Sequence, residues 1–346
     1  MKVVFCNHIS LSYGGGGEKW TITVAKYLRS RGYDVKVYAL PYTPNNRHNL
    51  VPSKILEDIP YYEGWRHNVN ADVAYVFYNP LAYLFFRCRG CIRIAGLHSN
   101  VYFMPKTPPI SYGTPAIISR ILYKIIGKYD ISTYDIIHIV NKACEMKGVK
   151  RKVIYIPNFV NTKIYKPIGR KYEKFTVLFV GRPSWQKGWD IFLQVAKMLK
   201  SNESNIDILW AGGTYSNPDN LVRGLGYISD ELKLSRIYSM AHITLYPSLS
   251  DLFPLTIAES LASGTPVITT PIETHKSMKL PLIYASTAEE FAKKIMEIKN
   301  MYERNPKEYS KLITEGRRAV EELYDIEKVL PRFEMFINIL GSHKGT

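Results

Sequence analysis

The regular alternation of short apolar runs with amphipathic stretches constrains this chain more than any other feature. "KVVFCN" reads as a buried strand, "HISLSYGGGGEKW" as a glycine-rich turn, "TITVAKYLRSRGY" as a helix and "DVKVYAL" as a second strand. Strand, helix, strand in that order implies parallel pairing through a right-handed crossover. The pattern continues with the strands "DVAYVFY", "CIRIAGL", "DIIHIVN" and "VIYIPN" and the basic helix "AIISRILYKIIGKY". It starts again at "FTVLFVG" and runs through "WDIFLQVAKMLK", "IDILWAGG", "DELKLSRIYSMA", "ITLYPS" and "PVITT". Three further helical stretches close the chain. The class is α/β, with parallel sheets covered by helices.

Two such blocks in 346 residues fit two domains. The join is expected in "NTKIYKPIGRKYEK", which is polar, basic and carries Pro and Gly. That gives domains over residues 1–165 and 166–320, with 321–346 as a C-terminal helix crossing back onto the first. Doubly wound sheets bind ligands beyond the carboxyl ends of their strands, in a cleft if two such domains face each other.

Charge is uneven. Residues 1–165 hold 22 Lys+Arg against 9 Asp+Glu, net +13; residues 166–346 hold 24 against 21, net +3. A basic first half favours an anionic partner: nucleic acid, a phosphorylated substrate or an acidic membrane surface. The four cysteines (6, 88, 91 and 144) make no disulfide framework. Cys88 and Cys91 have half the spacing of a zinc site with no second pair, so a reduced, cytoplasmic chain without a metal is expected. No signal peptide or spanning helix is visible.

Several residues at predicted strand ends can do chemistry. Arg182 and Lys187 in "VGRPSWQKG" leave a strand just before a helix, where two cations suit a diphosphate. Gly14 to Gly17 precede the first helix, and free N–H groups there favour an anion. The G-x-G-x-x-G and G-K-[ST] patterns are both absent from it. His98 ends "CIRIAGLH". In "SDLFPLTIAESLASGTPV", Asp251 is placed to cap a helix carrying Pro254 in its first turn, and Glu259 faces away from the apolar stripe. A carboxylate there can accept from both hydroxyls of a ribose; a plain cap and a surface charge fit as well.

Together these motifs resemble the retaining GT-B glycosyltransferases of glycosyltransferase family 4. Gly181, Arg182, Lys187 and Gly188 match its G-R-x(4)-K-G, and Asp251 and Glu259 fall on its E-x(7)-E. "IPNFVNTKIYKP" is similar to its domain-joining segment, and the opening glycines and helix to its first βαβ unit. The resemblance implies a GT-B fold, two Rossmann-like domains facing across a cleft, with the donor bound by the second. It implies that Arg182 and Lys187 hold the donor diphosphate, Glu259 the ribose and Asp251 the transferred sugar. It places the backbone of Phe253, Pro254, Leu255 and Thr256 at sugar and phosphate, and Tyr227 and Ile228 beside the base. Gly16 and Gly17 would approach phosphate and acceptor, and His98 the sugar. Asp251 is one methylene shorter than the family's glutamate, Leu252 replaces a glycine and Asn141 a serine.

The implied reaction moves a sugar from a nucleotide diphosphate donor, with uridine or guanosine as base, to a hydroxyl of a saccharide or lipid-linked acceptor. It retains anomeric configuration and uses no metal or other cofactor. A nucleotide-sugar epimerase of similar shape and a nucleic-acid binder are the competing readings, and no recognised nucleic-acid module supports the second. The helix with Ile117, Ile118, Ile121, Leu122, Ile125 and Ile126 alongside Arg120, Lys124 and Lys128 has two readings. It packs its isoleucines inward, the preferred expectation, or lies on an anionic membrane as a peripheral contact.

Overall fold

The computed structural model describes residues 1–42, 56, 58–98, 114–144, 150–202, 205–213 and 221–342. The chain forms two compact units, Met1–Asn158 with Val329–Thr346, and Phe159–Lys328.

The first unit is built on β1 (Lys2–Asn7), β2 (Asp34–Ala39), β3 (Tyr61–Glu63), β4 (His67–Val69), β5 (Val73–Phe77), β6 (Phe86–Cys88), β7 (Ile92–Leu97), β8 (Ile136–Ile139) and β9 (Lys152–Tyr155). Seven of these make one parallel sheet in the order β3-β2-β1-β5-β7-β8-β9, while β4 and β6 pair separately. β1 is central and buried from Val3 onward, registered with β2 on one side (Cys6 opposite Tyr38) and β5 on the other (Cys6 opposite Val76). Successive strands are added outward from β1 in one direction and then, from β5, in the other. The switch point therefore lies between β1 and β5, where doubly wound sheets open a ligand crevice.

The second unit repeats the design with β10 (Phe175–Val180), β11 (Ile206–Ala211), β12 (Arg223–Gly224), β13 (Ile243–Tyr246), β14 (Val267–Thr269) and β15 (Ile283–Tyr284). The order is β12-β11-β10-β13-β14-β15, all parallel, so its switch point lies between β10 and β13. One face of that sheet packs Phe179, Phe192, Trp210, Phe291 and Ile295 into a continuous core.

The helices are α1 (Gly16–Ser30), α2 (Thr114–Ile131), α3 (Trp189–Asn202), α4 (Glu231–Met240), α5 (Leu255–Ala262), α6 (Glu273–Lys276), α7 (Ala288–Arg304), α8 (Pro306–Leu323) and α9 (Ile326–Ser342). α7 and α8 start on side-chain caps, Thr287 to the Glu290 N–H and Asn305 to the Glu308 N–H. α9 runs past Pro331 without ending. Its Phe333 packs edge-on against Trp20 in the first unit.

The segment 161–174 is packed rather than loose. Tyr165 is buried, and the Lys166 and Ile168 N–H groups donate to the hydroxyls of Ser235 and Ser239 on α4. Lys171 Nζ donates to the carbonyls of Ala241 and Gly264, which close α4 and α5.

Four expectations are corrected. α1 begins at Gly16, inside the stretch read as a turn, because Gly15 supplies the extended N-cap and Glu18 a favourable first-turn charge. α5 begins at Leu255 with Pro254 as its N-cap, so Asp251 is not its cap and Pro254 precedes the first turn. Cys88 and Cys91 are joined as a disulfide rather than reduced; the turn through Gly90 (φ 67°) brings their Cα atoms to 6.0 Å. On α2, Ile118, Ile121 and Ile125 are 51%, 49% and 68% exposed, so they do not pack inward. Apolar residues surround this helix, and one sheet face cannot cover all of them. The side chains of Ile117, Arg120 and Lys128 lie outside the described residues.

Candidate active site

At the second sheet's switch point, β10 ends at Val180 and the chain turns through Gly181, Arg182 and a single turn of 3-10 helix, Trp185–Lys187. β13 ends at Tyr246 and leads into the loop carrying Asp251. The two loops are laced together. The Leu249 N–H and the Ser248 hydroxyl both donate to the Gln186 carbonyl, each at 2.9 Å. Gly188 has φ 69°, and a Cβ there would lie 1.9 Å from the Pro247 carbonyl oxygen, so only glycine permits this approach.

The lacing brings Lys187 to Asp251. Lys187 Nζ pairs with Asp251 Oδ2 and also donates to Tyr246 Oη at 2.6 Å; Tyr246 Oη donates to the same Asp251 oxygen at 2.5 Å. Burial opposes the charge on Asp251, but the Lys187 ammonium and these hydrogen bonds outweigh it and hold the carboxyl below its usual range. Burial, then the Asp251 charge, raise the Tyr246 hydroxyl well above its ordinary value, so it stays a donor. Arg182 is exposed at the mouth of the same turn.

Glu259 lies elsewhere on α5, as its fifth residue. Its carboxylate accepts from Tyr238 Oη at 3.1 Å, and it lies close enough to Tyr165 to raise that phenol, second to burial. Leu252, Phe253 and Pro254 are buried, and the Phe253 ring packs edge-on against Tyr324 at 5.0 Å. Leu255 and Thr256, the first two residues of α5, are partly exposed. Tyr227 is 47% exposed and Ile228 is half-buried, both following β12.

In the first unit, Gly16 and Gly17 are the first two residues of α1. His98 follows β7, and its ring stacks on Phe77 at 4.4 Å and lies 4.7 Å from Trp20. Gly17 is set against the same Phe77 ring. His98 Nε2 is 2.8 Å from Tyr75 Oη, which is 2.5 Å from His138 Nδ1; His138 Nε2 is 2.8 Å from the Ile156 carbonyl oxygen. Burial pushes His98 well below its ordinary pKa, with the neighbouring His138 and His8 adding to the shift. His8, just past β1, is 3.2 Å through Nδ1 from the Phe77 carbonyl oxygen and is pushed down to about 4 by burial. His8 and His98 lie just past the carboxyl ends of β1 and β7, while Tyr75 and His138 sit inside β5 and β8.

Tyr246, His8, Tyr75 and His138 were missed by sequence reasoning. The rule that singled out His98, a polar side chain at a strand's carboxyl end, also fits His8 and Tyr246. Tyr75 and His138 are interior strand residues, and only the sheet order β5-β7-β8 brings them to His98.

Comparison with known proteins defines the class. Residues 174–300 match the family model for glycosyl transferases group 1. The chain is 28% identical over 243 residues to alpha-galactosylglucosyldiacylglycerol synthase from Streptococcus pneumoniae, covering 60% of this chain and 61% of that protein. An uncharacterized glycosyltransferase from Haemophilus influenzae is 27% identical over 233 residues, covering 62% and 64%. The matches thus span less than two thirds of these relatives' lengths. Sucrose-phosphate synthase from Thermosynechococcus elongatus superimposes with a TM-score of 0.78 at 17% identity, over 99% of this chain and 100% of that one. Anabaena HepE, solved in complex with UDP-glucose, gives 0.71 at 12% identity, over 98% and 99%. The fold is that of the GT-B glycosyltransferases, and the match to the glycosyl transferases group 1 model lies within the second unit.

Proposed function

We propose that the protein is a retaining glycosyltransferase that moves a sugar from a nucleotide diphosphate donor to an acceptor hydroxyl without a divalent metal. The observation that carries this is the cation pair leaving β10, Arg182 and Lys187, placed at a switch point inside the segment that matches glycosyl transferases group 1.

In this reading Arg182 and Lys187 bind the donor diphosphate and stabilise the charge that grows on it as the glycosidic bond breaks. The sequence offers no Asp-x-Asp pair to hold a metal for that purpose. Asp251 contacts the transferred sugar, and Tyr246 keeps its carboxylate aimed while Lys187 turns to phosphate. Glu259, held by Tyr238, accepts the ribose hydroxyls. Backbone N–H groups of Phe253, Leu255 and Thr256 face sugar and phosphate, with Pro254 fixing the turn into α5. Tyr227 and Ile228 flank the base; uridine is the first candidate because HepE, a neighbour of this fold, binds UDP-glucose, and guanosine is the other. Gly16, Gly17 and His98 serve the transferred sugar and the acceptor. The transition state is oxocarbenium-like, with the acceptor attacking the face that the leaving phosphate vacates.

The acceptor is a saccharide or a lipid-linked glycan. A lipid-linked one is supported by the likeness to a diacylglycerol-lipid synthase and by α2. There Ile118, Ile121, Ile125 and Tyr129 form one exposed stripe beside the exposed Lys124, in the half of the chain with net charge +13. Such a helix suits peripheral contact with an anionic membrane from the cytoplasmic side. No helix among the described residues is long and apolar enough to cross one.

The test is a transfer assay with UDP- and GDP-sugars, in EDTA, against saccharide and lipid-linked acceptors, with the product anomer read by NMR. Retained configuration in EDTA is expected. An inverted product or a strict metal requirement would refute the mechanism, and an epimerised sugar formed without acceptor would assign the epimerase reaction instead.

A further inference from the structure

The side chains of His98, Tyr75 and His138 in the first unit form a hydrogen-bond chain whose direction follows from what each group can donate and accept. The Ile156 carbonyl can only accept, so His138 Nε2 carries a proton and donates to it across 2.8 Å. A neutral His138 then has a bare Nδ1, and burial pushes its pKa down to about 4, so the ring is neutral at physiological pH. Among the described residues, the proton that meets that Nδ1 is the phenolic one of Tyr75, 2.5 Å away. Having donated there, Tyr75 Oη can only accept from His98. The 2.8 Å contact therefore requires a proton on His98 Nε2.

We propose that Tyr75 and His138 are positioning residues that lock His98 in its Nε2–H tautomer and so leave Nδ1 as a fixed acceptor. The inference rests on the glycosyltransferase reading in one respect, that the hydrogen bond Nδ1 accepts comes from a hydroxyl of the transferred sugar. Among the described residues no hydrogen bond engages His98 Nδ1. Phe77, stacked on one face at 4.4 Å, and Trp20, at 4.7 Å, hold the ring in place. The fold makes room for the relay at one position. A Cβ on Gly96 of β7 would lie 2.3 Å from Tyr75 Oη, so glycine there lets the hydroxyl reach both imidazoles.

The relay is specific to these three residues. A phenol can donate one proton, and it is committed to His138. Any group in place of His138 that could not accept would free that proton to turn toward His98 and reverse the tautomer. His98 would then offer a donor where it now offers an acceptor.

The test uses the full-length protein labelled with 15N on histidine. Long-range proton–nitrogen spectra at pH 7.5 report which ring nitrogen is protonated, with His98 assigned from its loss in His98→Asn. The wild type is expected to show Nε2–H on both His98 and His138. Tyr75→Phe is expected to expose the His98 ring proton to rapid exchange, while the His138 proton persists because its carbonyl partner remains. Turnover should fall by about tenfold, the worth of one hydrogen bond near 1.4 kcal/mol, with the donor KM little changed. An Nδ1–H form of His98 in the wild type, or a His98 resonance unaltered by Tyr75→Phe, would overturn the relay. The tautomer readout needs no turnover. A wild type that transfers no sugar while showing the relay protons would therefore count against the glycosyltransferase reading alone.

Discussion

Lys187 and Asp251, 64 residues apart in sequence, form an ion pair at the carboxyl edge of the second sheet, with the Tyr246 hydroxyl bonded to both. Their side chains are 19% and 16% exposed, so each charge has lost most of its water. Removing one partner strands the other. Lys187→Ala is expected to cost about 1–3 kcal/mol, below the figure for a fully buried pair because some solvent remains. Removing both should cost less than the sum, with a coupling of about 0.5–3 kcal/mol. Urea denaturation of the two single variants and the double variant measures this directly. Additive losses would mean that the pair contributes nothing beyond its separate residues.

Stability should fall with acid in a defined window. His138, His242 and His275 are fully buried, and burial pushes each from 6.5 down to about 4. Below pH 6.5 the unfolded chain takes up protons that the native state refuses, so the native state is progressively disfavoured. The slope is about 1.4 kcal/mol per pH unit for each such histidine until about pH 4, where the native rings protonate too. Asp251 acts lower. Its depressed pKa gives stability that is present above 3.8 and is lost as pH falls below that value. Urea midpoints at pH 7.5, 6 and 5 should drop in order, and equal midpoints would contradict the buried neutral histidines.

The α2 stripe predicts a surface activity separable from chemistry. Flotation with vesicles containing phosphatidylglycerol should carry the wild type into the lipid fraction, and pure phosphatidylcholine should carry less. Ile121→Asp with Ile125→Asp should abolish flotation while leaving donor binding intact, because both side chains are exposed. Equal recovery of wild type and double variant in the lipid fraction would remove this helix from the membrane reading.

The alternation of "KVVFCN", "DVKVYAL" and "FTVLFVG" with amphipathic helices was enough to give the parallel α/β class, because buried parallel strands are continuously apolar. It also placed His98, Arg182 and Lys187 at strand ends. The partner of Asp251 was not legible. The local rules that favour aspartate as a helix cap carry no information about a lysine 64 residues away, and the Gly188–Pro247 contact that joins their loops is purely tertiary. The isoleucines of α2 failed for another reason. Periodicity assigns an apolar stripe to the core only when the remaining faces are polar, and this helix has apolar residues on most of its circumference. The His98 relay was hidden because Tyr75, Gly96 and His138 come from three different strands.

Calorimetric titration of nucleoside diphosphates and nucleotide sugars, in EDTA, into the wild type, Arg182→Ala and Glu259→Ala tests the donor site most directly. The account predicts micromolar binding of one nucleotide by the wild type. It predicts a loss of at least about tenfold in each variant, since the proposal assigns the diphosphate to Arg182 and the ribose to Glu259. Equal affinities across all three proteins, or no nucleotide bound by the folded wild type, would contradict it.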